Sequence, residues 1–291
     1  GHAGRTIEAY IKSTDRFIQW AASHQLEPET IRANDLLDYL SYLKKRGIGM
    51  NTIQTYLAAI THYYEALVSQ EIIEENPARY ITLKINTTRK LYHLLSKEQL
   101  EKLYTTFDAK ALRKTKTTAR LSAMRNKIAT GLMVFQGLDV NVLGRLKAED
   151  VDVLGGTIKI RGSRKHNART LALQAQQIIT IDRYLNQTRK ELQTEFKKEE
   201  SETLLITGYT HYYDAHRRLM QRLRKQEPQL KSVQQIRTSV ITLWLKQHNL
   251  REVQYMAGHK SVQSTEAYQK NDTESLQLDI DRFHPSVNEV L

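Results

Sequence analysis

Cysteine is absent from the 291 residues. That excludes disulfides and thiolate-held metal, and it fits a reducing compartment, so the expected location is cytoplasmic. Proline is scarce, with four residues in all. Pro77, Pro228 and Pro285 each follow a helical pattern and read as stops. No window carries the roughly 18–20 apolar residues of a membrane span; the apolar run around Met133 is broken by Gln136 and Asp139. No signal-peptide pattern is present either. Repeats, low-complexity tracts and a phosphate-cradling glycine loop are also missing. His211 and His216, five residues apart, point to different helical faces, and no cluster has metal-ligand spacing. Neither a metal nor an organic cofactor is therefore expected.

Acidic residues are under-represented, 32 against 44 Lys and Arg, for a net charge of +12. The imbalance is uneven. Residues 1–88 hold 9 basic and 10 acidic side chains, so the whole excess lies in the C-terminal two-thirds. A basic face of this size suits a polyanion, and nucleic acid is the natural one; a merely solvated basic surface is the plainer reading. Seven basic residues and no acidic one fall between 110 and 127, among them Lys116, Arg120 and Arg125. A segment that contacts phosphate and an ordinary solvated face fit that run equally well.

Apolar residues make up 40%, enough for ordinary cores, and the length allows two domains. Residues 5–88 read as about four short helices. Ile7, Tyr10, Ile11, Phe17 and Trp20 approach an i, i+3, i+4 pattern. Asn34 and Asn51 are candidate N-caps for the runs that follow them. A polar linker falls within 82–94, and Ser96 with Gln99 forms a capping box for a new helix. Residues 157–160 and 169–173 alternate as strands around a basic connection, which gives a small antiparallel sheet. Residues 175–200 read as helix, 204–207 as a short strand, and Tyr212–Leu223 as a basic helix carrying Arg217. The fold class is mainly α with a small antiparallel β-sheet: a helical domain over 3–86 and a second domain over 92–291.

The stretch from Gln234 to Tyr268 is the most informative. Arg237 begins an apolar stripe at helical spacing, Val240, Ile241, Trp244 and Leu245. Gly258 sits where a C-cap glycine would, His259 follows it, and Tyr268 comes nine residues later. The order Q-Q-I-R, M-A-G-H and S-T-E-A-Y resembles the tyrosine recombinase (phage integrase) family. The first domain resembles that family's SAM-like core-binding domain, although its near-neutral charge departs from the basic domain expected there.

The resemblance implies a DNA strand-exchange enzyme acting through a 3′-phosphotyrosyl intermediate. Tyr268 would be the nucleophile, Arg237 and His259 would hold the scissile phosphate, and Gln234 would add a hydrogen bond where the family usually has His. Lys165, on a mobile hairpin, would protonate the leaving 5′-oxygen, with Arg164 as its rival. Arg120, Arg125, Lys116, Arg164 and Arg217 would contact DNA. A phenol with a pKa near 10 needs such help to attack. The implied partner is double-stranded DNA, bound by a protein that is monomeric in solution and tetrameric on its site. A C-terminal tail, with Leu276, Ile280 and Phe283 on one helical face, would link neighbouring protomers.

One departure matters most. The run L-D-V-N-V-L-G-R-L-K-A-E-D-V-D resembles the family's G-L-R-x-x-E segment, but Asp139 stands at the Arg position and Val142 at the Glu position. Arg145 lies about 120° around an ideal helix from that position, and Arg125 about 21 Å upstream in a continuous one, so neither replaces it without rearrangement. With Asp139 and Gln234 as they are, a DNA-binding relative that has lost cleavage is the alternative reading.

Overall fold

A computed structural model describes residues 4–84, 93–107 and 117–269. The chain divides into two compact units, Gly1–Arg89 and Lys90–Leu291. Most of the linker, Lys116 and the C-terminal tail lie outside the described residues.

In the first unit the helices are fewer and longer than the sequence pattern suggests. They are α1 (Gly4–Ser23), α2 (Ala33–Lys45) and α3 (Met50–Ser69), with one 3-10 turn at Pro28–Thr30. Phe17, Trp20, Leu36, Tyr39, Ile53, Ile60 and Tyr64 form their shared core. Phe17 meets the Tyr39 ring edge-on at 5.2 Å. Neither asparagine caps as expected. The cap position of α2 is Arg32, whose backbone N–H donates to Asp35 Oδ2 at 2.8 Å, so the helix starts one residue before Asn34. Gly49 precedes α3 and leaves Asn51 inside its first turn.

In the second unit Ser96 does cap α4 (Lys97–Thr105). Its Oγ accepts from Gln99 N–H at 3.2 Å, and Gln99 Oε1 accepts from Ser96 N–H at 2.9 Å. Helix α5 (Thr117–Val134) is buried over most of its circumference and runs through the core, with Ala129, Leu132 and Met133 fully enclosed. Short α6 (Val140–Leu143) follows. Strands β1 (Val151–Asp152), β2 (Thr157–Ile160) and β3 (Arg169–Ala172) form one antiparallel sheet in that order. Ile160 pairs with Arg169 at its hairpin end.

The expected single helix over 175–200 is three pieces: α7 (Ala175–Arg183), a π-turn at Tyr184–Thr188, and α8 (Arg189–Glu195). Buried Tyr184 lies at the start of that π-turn, and its hydroxyl donates to Leu204 O at 2.8 Å. Residues 204–207 form no strand. The chain just before them makes one bridge, Lys147 to Thr203, closed by Leu204 N–H donating to Leu146 O and Ala148 N–H donating to Glu202 O. The rest is helical: α9 (Tyr212–Gln226), α10 (Val233–Leu245), α11 (Leu250–Ala257) and a last helical stretch, α12, over 263–269. Among the described residues no helix is long and apolar enough to cross a membrane.

Helix α9 is amphipathic. His216, with Leu219 and Leu223, lies on its buried face, whereas Arg217 and Arg218 are exposed. Burial, and then the nearby Arg224, push the His216 pKa down to about 4. The unfolded chain binds a proton near pH 6.5, and the folded chain resists it until about pH 4. Stability therefore falls as pH drops through that window, by about 2 kcal/mol at pH 5 for one such group. His216→Leu should flatten the pH dependence of urea unfolding between pH 6.5 and 4. An unchanged slope would show that His216 does not titrate this way.

Candidate active site

Two left-handed glycines prepare the site. Gly137 (φ 59°) ends α5 and Gly258 (φ 70°) ends α11. Both conformations favour a residue without Cβ. The Gly137 turn presents its carbonyl to Arg237 Nη1 at 2.6 Å. The last carbonyl of α11, Ala257 O, accepts from Arg237 Nη2 at 2.7 Å. Arg237 itself comes from the first turns of α10, which Ser232 caps by accepting from Gln235 N–H at 3.2 Å. Arg237 is thus 4% exposed, and its guanidinium is held by carbonyl dipoles and aimed at one place.

That place includes His259. Arg237 Nη2 lies 3.4 Å from His259 Nε2, and His259 Nδ1 lies 2.9 Å from Thr265 Oγ1. Arginine has no acceptor, so Nε2 must be the acceptor and Nδ1 carries the proton given to Thr265. Burial first, and the Arg237 charge second, hold the His259 pKa down at about 4, consistent with that neutral tautomer. The Tyr268 ring stacks on the imidazole, with centroids 5.5 Å apart and planes 13° from parallel. Its hydroxyl accepts from Gln234 Nε2 at 3.3 Å. Four residues that the sequence singled out, Gln234, Arg237, His259 and Tyr268, therefore meet in one group.

The hairpin after β2 contributes to the same place. Asn167 N–H donates to Gly258 O at 2.9 Å, and His166 forms a bridge with His259. In the hairpin expected to be mobile, residues 166–167 are tied to the Gly258 turn, which leaves Arg164 and Lys165 at an exposed tip. Arg120 and Arg217 are also exposed. Arg125 is not. It is 6% exposed, and its Nη1 donates to Ile206 O at 3.0 Å. Its expected role as a DNA contact is therefore corrected to a structural one, because α5 is turned so that this residue faces the core.

Asp139, at the position where Arg was expected, has a local job. It caps α6, with Oδ1 accepting from Asn141 and Val142 N–H at 2.8 and 3.0 Å. Its other oxygen is 3.7 Å from His166 Nε2. Sequence reasoning passed over His166 and Arg169. Arg169 is 3% exposed. Burial, and then Arg237, lower its pKa to about 10, while Asp139 opposes the shift. It remains charged at neutral pH. Strand alternation held the signal for Arg169: inward Leu171 and Leu173 place Arg169 inward too.

Comparison with known proteins matches this arrangement. Residues 93–275 match the phage integrase family, and residues 1–74 match the phage integrase N-terminal SAM-like domain. The chain belongs to the phage integrase family. Tyrosine recombinase XerC of Thermodesulfovibrio yellowstonii is 25% identical over 98% of this chain and 92% of its own length. Tyrosine recombinase XerD of Oceanobacillus iheyensis is 22% identical, over 98% and 94%. A match to a tyrosine recombinase sequence of Caldanaerobacter subterraneus spans only 64% of this chain and 59% of that protein. Among solved structures, a lambda integrase dimer bound to a COC' core site shares the fold. Its TM-score is 0.62 at 16% identity, over 94% of this chain and 73% of that one. XerH bound to a palindromic difH substrate gives a TM-score of 0.63 at 22% identity, over 86% and 72%.

In this integrase chain Thr265 is fully buried, and the His259 imidazole offers it a proton. Thr265→Val keeps the shape and removes the acceptor. It should destabilise the second unit by about 1–3 kcal/mol, the usual cost of an orphaned buried donor. Thr265→Ser should cost much less. Chemical denaturation of the two variants checks this, and equal losses would mean that shape rather than the hydrogen bond matters.

Proposed function

We propose that this chain is a site-specific DNA recombinase that cuts and rejoins double-stranded DNA. The Tyr268 hydroxyl gives its proton to His259 Nε2, the acceptor nitrogen of the neutral ring, as its oxygen attacks the scissile phosphorus; a 3′-phosphotyrosyl bond forms and the P–O5′ bond breaks. Arg237 binds a non-bridging oxygen, whose charge grows as the nucleophile arrives, and His259, once it carries that proton on Nε2, donates to the same phosphate. Gln234 orients the Tyr268 hydroxyl. Lys165 delivers a proton to the leaving 5′-oxygen from the exposed hairpin tip. Rejoining is the same step in reverse, with a 5′-hydroxyl as attacker.

The observation that carries this reading is the single group of Tyr268 hydroxyl, Gln234, His259 and Arg237. A buried guanidinium beside the imidazole on which a half-buried nucleophile stacks is preorganised for developing negative charge. The basic excess beyond residue 88 supports a DNA partner, as do the DNA-bound relatives of the same fold. Arg120, Arg164 and Arg217, which are exposed, contact its backbone in this reading; Lys116 is proposed on charge alone. A relative that binds DNA without cutting has no need to keep this group intact, so the enzymatic reading is favoured. Strand exchange between two duplexes cuts four strands and each chain carries one Tyr268, so we assign a tetramer on DNA and a monomer in solution.

Incubation with a nicked cognate duplex should trap a covalent protein–DNA adduct that maps to Tyr268 and is absent from Tyr268→Phe. An adduct on Tyr255, or one that survives Tyr268→Phe, would overturn the assignment. Lys165→Ala should lose cleavage and regain it on a 5′-bridging phosphorothiolate, whose sulfur leaves without a proton. Rescue of Arg164→Ala in its place would move the acid to Arg164.

A further inference from the structure

Asp139 leaves the site short of the positive charge that this family places at that position. Neither arginine near it in sequence fills the gap. Arg145 is exposed and donates through Nε to Asn141 O at 3.1 Å. Arg125 is buried near Tyr184, Tyr209 and Tyr212, with Nη1 on Ile206 O. Arg169 lies differently. From the first position of β3 its guanidinium runs under the Gly258 turn; a Cβ at residue 258 would come within 2.8 Å of Arg169 Cζ. That puts it one residue from His259. Arg237 is the largest charged influence on it, so the two cations are close.

The surroundings of Arg169 are poor for a structural arginine. Among the described residues it forms no ion pair, its Nη1 reaches Asn167 O only at 3.4 Å, and its buried Nε has no partner. His166 Nδ1 next to it is also buried without a partner. A buried arginine is normally satisfied by carboxylate or several carbonyls. Here two guanidiniums and two imidazoles converge, with Asp139 the nearby carboxylate and already occupied as a helix cap. The arrangement lacks an anion. We propose that Arg169 is the second guanidinium of the phosphate site, taking from β3 the role that Asp139 cannot perform from α6. The group it receives is a phosphodiester oxygen of the scissile linkage. This inference rests on the recombinase reading above.

Two properties separate this role from a structural one. A phosphate-binding arginine is needed less when the phosphate has no charge. It also costs stability when the phosphate is missing, because its charge is buried beside another cation. The test uses the full chain, with Arg169→Met and Arg169→Lys, on nicked duplexes carrying either a phosphodiester or a neutral methylphosphonate at the scissile position. Arg169→Met should melt no lower than the parent protein and should bind the duplex within a few-fold. It should form the Tyr268 adduct about 10²-fold more slowly on the phosphodiester, the usual cost of one lost donor. On the methylphosphonate most of that deficit should disappear. Arg169→Lys should lie between the two on the phosphodiester.

Adduct formation by Arg169→Met at the parent rate would overturn the proposal. So would an equal deficit on both linkages, with or without a lower melting temperature, since a purely structural arginine gives that result. If the parent protein forms no adduct on either linkage, the recombinase reading fails first and takes this inference with it.

Discussion

The site depends on one cation that, among the described residues, is held without a counter-ion. Arg237 is buried, and its two terminal nitrogens are anchored by Gly137 O and Ala257 O. Carbonyl dipoles fix its direction but do not cancel its charge. It therefore continues to act on its neighbours: it faces His259 Nε2 and adds to the burial that depresses both the His259 and the Arg169 pKa values. Those two carbonyls belong to the ends of α5 and α11. Both ends need glycine, because the chain turns there through the left-handed region. The position of the cation is thus set by the two turns that terminate its neighbouring helices.

The same logic explains why His259 is neutral. Its Nε2 must accept from arginine, so its proton sits on Nδ1 and is given to Thr265. Tyr268 then stacks on an uncharged ring, with its hydroxyl outside the buried cluster and in contact with Gln234. A site so rich in cations and so poor in acids is costly to keep empty. Binding an anion relieves that cost, which ties the electrostatics of the empty protein to the reaction proposed for it.

How much of this could be read from the chain varies with how local the signal is. The Ser96–Gln99 capping box and the Gly258 cap were legible because each is a short-range pattern with one mechanical meaning. The spacing from Arg237 to His259 to Tyr268 was legible because it is fixed by two short helices. Asn34 and Asn51 misled, since Arg32, whose N–H Asp35 accepts, and Gly49 hold the cap positions two residues earlier. The run 204–207 looked like a strand but had no ladder partner, which no local pattern reports. Arg125 was misplaced because a basic cluster says nothing about which way its helix faces. Arg169 was missed although its strand alternation pointed inward; attention to Lys165 and Arg164 at the hairpin tip passed over the charged residue that faces the core.

The most direct test is a crystal structure of the Tyr268→Phe variant on its cognate duplex, with the scissile phosphate intact. The account predicts that Arg237 and Arg169 both donate to non-bridging oxygens of that phosphate. His259 should be at hydrogen-bond distance, and the edge of the substituted ring should face the phosphorus opposite the 5′-oxygen. A phosphate bound by Arg237 alone, with Arg169 still unpartnered beneath Gly258, would contradict the two-guanidinium site. A phosphate lying away from Arg237 altogether would contradict the account as a whole.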